Sequence, residues 1–370
     1  MKHIVLLILI LSVLAAGCTQ ENPPVQTQPS ADASVDGDAV PGFSVEEIPL
    51  DLALTDTQSL YLLDAKDSRL LFTVWDKQIN YATTGSSRYT SSVFIFNADT
   101  GEIEKLWEPE IPGQYQSGIL TGTDSALCCV CTDIESPAGN YADHIVLLNS
   151  NQTIVAQVDG MLSAPSELDE NTILVPYENY ADGISTYGLL CLSDGSVSDR
   201  FSWMENQMDS VQISAYGSSF CFIQDTGEKS CFVTADGNGE LYRSVFDPST
   251  EKIDSFCLTA QGVLASMQTD TGHSCILFSL DGTRSVLEDP GFDSGLYRLR
   301  ANQAATLAVD GQYQLYALTV RNGQLSLQSI TEDLLPKGAG AISLRTFGED
   351  GFWLYYGSIP ALYRVAVTGS

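Results

Sequence analysis

Three related strings recur in the first half of the chain: Asn80-Tyr81-Ala82, Asn140-Tyr141-Ala142-Asp143 and Asn179-Tyr180-Ala181-Asp182. A phenol ring offers rigid apolar area, and an amide or carboxylate beside it fixes orientation; together they suit recognition of sugars or peptides. Arg88 and Tyr89 follow the first string, and Glu178 and Tyr187 flank the third. The candidate ligand-binding set is therefore Asn80, Tyr81, Tyr89, Asn140, Tyr141, Asp143, Glu178, Asn179, Tyr180 and Asp182. Asn-Tyr and Ala-Asp are also ordinary turn chemistry that duplication of a repeat would copy, so tyrosines that merely pack their loops are the competing reading. Glu178, Asp182 and Asp143 could pair for glycoside cleavage, but the separation that decides this is not legible in sequence.

Other chemistries have less to work with. Beyond His3 the histidines are His144, beside an apolar run, and His273, in a short connection, and no G-x-S-x-G elbow accompanies them. A Ser-His-Asp hydrolase is not expected. No Cys-x-x-Cys pairs with a second or with histidines, so no metal site is expected. Asp236-Gly237-Asn238-Gly239-Glu240 lacks a full calcium-loop pattern and reads first as a hairpin. No cofactor is expected, and catalysis is the less favoured expectation. With 17 basic against 47 acidic residues and a net charge of −30, the chain would repel phosphate backbones, which argues against a nucleic-acid partner.

The elements that must position these residues are short strands. An apolar strand ending in a Gly or Asn turn occurs seven times: Ser92 to Gly101, His144 to Asn151, Tyr187 to Gly195, Ser230 to Gly237, Ser274 to Gly282, Gln314 to Gly323 and Ala361 to Gly369. The spacing averages about 45 residues, the period of a four-stranded propeller blade. Asp-Gly and Asn-Gly accept the positive φ that hairpin turns need. A second apolar strand precedes each copy, as in Leu70 to Trp75 or Trp353 to Tyr356. The expected fold is all-β: a seven-bladed β-propeller of four-stranded blades over residues 43–370. The last copy lacks an outer strand, and Ser44 to Leu50 is free to supply it, closing the ring and removing an exposed edge. In antiparallel blades the loops between second and third strands share one face with the loops between blades. All three Asn-Tyr strings fall at such second-to-third connections, in loops expected to be long in the first three blades and brief in the last four. Tyr115 and Trp203 are expected in inter-blade loops of the same face.

Upstream, Lys2, the apolar run Ile4 to Leu11 and the small residues Ala15-Ala16-Gly17 form a signal segment over 1–17, too short to span a bilayer. The string Leu14-Ala15-Ala16-Gly17-Cys18 resembles the lipobox of bacterial lipoproteins, with Ala15 where that family favours Leu. The resemblance implies cleavage before Cys18 and acylation of its thiol, hence a lipid-anchored protein on the extracytoplasmic face of the cell membrane. Residues 18–42 continue as a polar, Pro/Ser/Gln-rich tether. The other eight cysteines sit in apolar strands and read as small hydrophobes, with Cys221 and Cys231 the best candidates if any pair is bridged.

The repeats resemble those of bacterial propeller lipoproteins and of TolB-type or quinoprotein-like propellers. That resemblance bears on fold; the sialidase S-x-D-x-G-x-x-W box and the tryptophan motifs of quinoprotein dehydrogenases are not met. The functional expectation is a membrane-tethered binding or scaffold module that recognises a glycan, peptide or protein through the loops of blades 1–3. A carbohydrate-active enzyme and a subunit of an envelope assembly complex are the alternatives.

Overall fold

The computed structural model describes residues 42–368 except 80–86, 109–113, 123, 132–141, 149–152, 162–165, 170, 180–183, 199–212, 226–228, 237, 288–294, 322–323 and 331–341; within some strands, mostly of blades 1–3, only the backbone is described. These residues form a seven-bladed β-propeller with four antiparallel strands per blade. Blade 1 is β2 (Gln58–Lys66), β3 (Arg69–Ile79), β4 (Ser87–Asn97) and β5 (Glu102–Trp107). Blade 2 is β6 (Gln114–Thr121), β7 (Ser125–Cys131), β8 (Ala142–Leu148) and β9 (Thr153–Met161), and blade 3 is β10 (Ser166–Asp169), β11 (Thr172–Asn179), β12 (Ile184–Cys191) and β13 (Val197–Ser198). Blade 4 comprises β14 (Ser214–Tyr216), β15 (Ser219–Asp225), β16 (Ser230–Asp236) and β17 (Gly239–Phe246). Blade 5 comprises β18 (Lys252–Thr259), β19 (Gly262–Thr269), β20 (Gly272–Ser279) and β21 (Arg284–Leu287). Blade 6 contains β22 (Leu296–Ala301), β23 (Thr306–Asp310), β24 (Leu315–Arg321) and β25 (Gln324–Ser329). Blade 7 contains β26 (Ile342–Phe347), β27 (Gly351–Tyr356) and β28 (Ala361–Thr368), and its outer strand is β1 (Gly42–Ile48). The N-terminal strand thus closes the ring in an unbroken register from Gly42↔Thr368 to Ile48↔Leu362. Blades 2 and 3 are joined by one backbone pair, Tyr177↔Met161.

Burial explains why the middle strands are continuously apolar. A blade's second and third strands are covered by both neighbouring blades, so β16 and β27 are buried along nearly their whole lengths, whereas the outer β17 alternates. Side chains alternate between the two seams with period 2. Ala126, Cys128 and Val130 pack toward blade 1, while Leu127 and Cys129 pack toward blade 3. Seven hydrophobic clusters result, one for each seam between adjacent blades. The same alternation settles the cysteine pair. Cys221 faces blade 5 and Cys231 faces blade 3, and their rungs are Cys221↔Thr234 and Gln224↔Cys231. Both are free, as are Cys128, Cys129, Cys191, Cys257 and Cys275.

The innermost strand of each blade is an edge, and its outward amides need partners. Polar side chains of the preceding blade supply them. Asp64 Oδ2 accepts from Leu120 N at 2.9 Å, Ser214 Oγ from Leu258 N at 2.8 Å, Ser91 Oγ from Tyr115 N at 2.7 Å and Ser266 Oγ from Leu296 N at 2.9 Å. The closing seam is bound more heavily. Trp353 Nε1 donates to Asp67 O (2.9 Å), Tyr355 OH to Leu60 O (3.0 Å), and Arg345 Nη2 and Nε to Leu63 O (2.8 and 3.2 Å).

Candidate functional site

The face that carries the second-to-third-strand loops is set by the ends of β3, β7, β11, β15, β19, β23 and β27 and the starts of the strands that follow them. Asn80 and Tyr81 come directly after β3, Asn140 and Tyr141 directly before β8, and Tyr180 and Asp182 between β11 and β12. These six residues, with Trp203 and Cys18, lie outside the described residues. Four candidates expected in loops stand on strands instead. Tyr89 is in β4 opposite Lys77, Asp143 is in β8 at a register shift, and Glu178 and Asn179 end β11 opposite Ser185 and Ile184. The cause is strand extension: β3 and β4 each run for 11 residues, and β11 pairs with β12 as far as Asn179↔Ile184. The loop of blade 3 is consequently only 180–183, as short as those of the last four blades. Tyr115 is a core residue, 1% exposed, packed in the seam between blades 1 and 2 with its carbonyl accepting from Trp75 Nε1. It leaves the expected surface.

On the same face, blades 5 to 7 hold further polar groups; His273, expected in a short connection, stands on β20 opposite Gln268. In blade 5, Asp254 is the extra residue of a bulge in β18. Its Oδ2 meets His273 Nδ1 at 3.0 Å and accepts from buried Ser266 Oγ at 3.2 Å. A catalytic triad would place the histidine between the hydroxyl and the carboxylate, and here the carboxylate stands between the other two. Gly295 is packed against both Asp254 and His273, so any side chain there would collide with them.

In blade 6 a bulge at Tyr297 changes the alternation of β22. Leu296 and Leu299 both enter the seam with blade 5, and Tyr297 packs into the seam with blade 7. Alternation from Leu299 then carries Arg298 and Arg300 to the face turned toward blade 7. Blade 7 repeats the Leu-Arg pair at Leu344-Arg345, and blade 1 has Leu63-Asp64. The two pairs behave alike: Arg300 Nη1 donates to Leu299 O at 2.8 Å and Arg345 Nη1 to Leu344 O at 3.0 Å. Arg300, Arg345 and Asp64 keep some accessible surface yet are enclosed by protein. Burial and the charge of Arg300 hold Arg345 down to about 10, and burial and Arg298 lower Arg300 as well. Arg345 remains a cation at neutral pH. Burial raises the Asp64 carboxyl, against the opposing effects of the Leu120 amide and Arg345.

Around Arg298 the wall is aromatic. Its guanidinium lies over the Tyr297 ring, 5.6 Å from the centroid, and Tyr313 meets Tyr297 edge-on at 6.0 Å. Tyr356, fully buried at the end of β27, packs in the same seam against Tyr363. Burial pushes Tyr297 up to about 12 and raises Tyr356 as well. The signal that could have found this region is the Leu-Arg pair repeated at one place in two first strands, in a chain with only 17 basic residues. Among the described residues no three His, Cys, Asp or Glu side chains converge as metal ligands would.

No protein-family model matches the chain, and no curated protein matches it. Solved propellers do. A structure of the Dos1 propeller superposes with a TM-score of 0.53 at 9% identity, covering 83% of this chain and 94% of that one. A catalytically inactive virginiamycin B lyase from Staphylococcus aureus, determined with quinupristin, gives 0.55 at 12% identity, covering 88% and 99%. At these identities the likeness shows the fold alone, a scaffold shared by binding proteins and enzymes.

Proposed function

We propose that this chain is a membrane-tethered, extracytoplasmic binding or scaffold module that recognises a glycan or a peptide through the tyrosine-bearing connections of blades 1–3. One observation carries the reading. The three Asn-Tyr strings fall at the same junction, between second and third strands, of three consecutive blades, so a single sector of one face would present them together. A closed ring is a rigid mount for such loops, and preorganisation lowers the entropy cost of binding. The tether and the acylated Cys18 belong to the proposal on the strength of the lipobox resemblance.

The test is a glycan and cell-wall-fragment array probed with the purified protein and with a Tyr81→Ala, Tyr141→Ala, Tyr180→Ala triple variant. Binding that the triple variant loses supports the reading, and binding that survives unchanged refutes it. Cys18→Ser expressed in a bacterial host would release the protein from the membrane fraction if the anchor is as proposed.

A further inference from the structure

Among the described residues three buried polar atoms near the face of blades 6 and 7, Arg298 Nε, Tyr297 OH and Tyr356 OH, have no hydrogen bond of good geometry, although the Arg298 guanidinium stands close enough to the Tyr297 hydroxyl to favour its ionised form. Orphans of this kind are rare in folded proteins, because each forfeits its hydration. These three are neighbours. Arg298 stacks on Tyr297, and Tyr297 and Tyr356 share one seam, in which Tyr297 helps to raise Tyr356. Behind them stand Arg300 and Arg345, close enough for Arg300 and Arg298 each to disfavour the charge of Arg345. The hydrogen bonds of Arg300 and Arg345 go to backbone carbonyls, which do not neutralise a charge. Among the described residues no carboxylate stands within ion-pair distance of any of the three arginines. Asp64, whose charge acts on Arg345, is committed to Leu120 N and is itself held toward its neutral form by burial. A chain of net charge −30 thus sets three arginines beside phenol hydroxyls that lack a well-aligned partner; the buried Asp310 carboxylate, whose charge also reaches Tyr297, is already taken by the amides of Gln312 and Gln314 and by Tyr316 OH. An enclosed cation is tolerated when an anion completes it.

We propose that Arg298, with the hydroxyls of Tyr297 and Tyr356 and with Arg300 and Arg345 behind, forms a site for an oxyanion: a carboxylate or phosphate group entering from the loop face of blades 6 and 7. A planar guanidinium and two phenol donors match the lone pairs of such a group, and the two inner arginines contribute field without direct contact. The site lies on the same face as the tyrosine connections of blades 1–3 but shares no residue with them, so it stands or falls independently of the proposed function.

The experiment is calorimetric titration of the purified protein with inorganic phosphate and with glucuronate, using glucose as the uncharged control. Saturable binding of either anion, weakened at least about tenfold by Arg298→Gln and measurably by Tyr356→Phe, supports the site. Tighter phosphate points to a phosphoryl ligand, and tighter glucuronate to an acidic sugar or another carboxylate. Arg284→Gln, which removes an outer-strand arginine paired with Glu251, leaves the affinity unchanged. Without ligand, Arg298→Gln melts at the same temperature as the parent or higher, because it relieves repulsion; an arginine with a purely structural role would melt lower. Absence of saturable binding by both anions overturns the proposal, as does an affinity that Arg298→Gln leaves unaltered.

Discussion

If β1 completes blade 7, shortening Ile48 should weaken the whole ring. Ile48 is the last residue of the strand, 7% exposed, and packs with Leu60, Leu62, Trp353 and Leu362 in the closing seam. Ile48→Ala removes three carbons. At about 0.8 kcal/mol for each buried methylene the transfer loss is about 2.4 kcal/mol. The cavity left behind raises the cost to about 2–4 kcal/mol, since Trp353 and its aromatic neighbours cannot collapse into the gap. Glu46→Ala on the same strand is the control. Glu46 is exposed and pairs across the ladder with Arg364, so its loss should stay within about 0.5 kcal/mol. Urea unfolding followed by tryptophan fluorescence reads both, and Trp353 lies in the perturbed seam itself. An Ile48→Ala midpoint that matches the Glu46→Ala midpoint would refute the contribution of β1 to the ring.

Other outcomes follow from single contacts. Tyr355→Phe deletes the hydrogen bond to Leu60 O with almost no change of shape and should cost about 1 kcal/mol by the same unfolding measurement. Because burial raises the folded-state pKa of Asp64, the native state holds its proton more tightly than the unfolded chain does; stability is full below the ordinary carboxylate range and declines as pH rises through the raised value. Asp64→Asn keeps an acceptor for Leu120 N and should remove that part of the pH slope, as melting temperatures between pH 4 and pH 8 would reveal. Cys191 is half-exposed, with its thiol lowered by hydrogen bonds from Ser193, whereas burial raises Cys128, Cys129, Cys221, Cys257 and Cys275. Iodoacetamide on the native protein, followed by peptide mass mapping, should therefore label Cys191 before those five.

The blade count, the strand order within blades and the closure by the N-terminal strand were all legible because they depend on patterns that burial enforces. A strand covered on both faces, such as Phe352 to Tyr356, must be apolar throughout, and a hairpin such as the one at Asp194-Gly195 needs its glycine. Loop lengths were less legible. Asn179 looked like the start of a connection because its neighbours are polar, yet it is the last rung of the β11–β12 ladder, and backbone pairing is indifferent to side-chain polarity at a rim. Tyr115, expected in an inter-blade loop, stands on β6 instead, where the adjacent bulge turns its ring inward. The arginines of β22 and β26 were hidden because first strands mix polar and apolar residues without a clean period. Bulges in β2, β6, β10, β18 and β22 break the alternation that would have shown which residues share a face.

The pairing of β1 with β28 also sets an order of events during synthesis. The first strand of the ring to be made must wait for the last, with all of the other blades assembled in between, so one sheet edge stays open for nearly the whole of translation and refolding. An open apolar strand would recruit other chains in that interval. β1 instead carries Glu46 and Glu47 side by side, and its one fully buried side chain is at its far end. Two adjacent carboxylates discourage a second copy of the same strand from docking, while Arg364, opposite Glu46 in the finished ladder, gives the intended partner the complementary charge. The charges that look incidental on the finished surface are thus placed to guard the edge while it is unpaired.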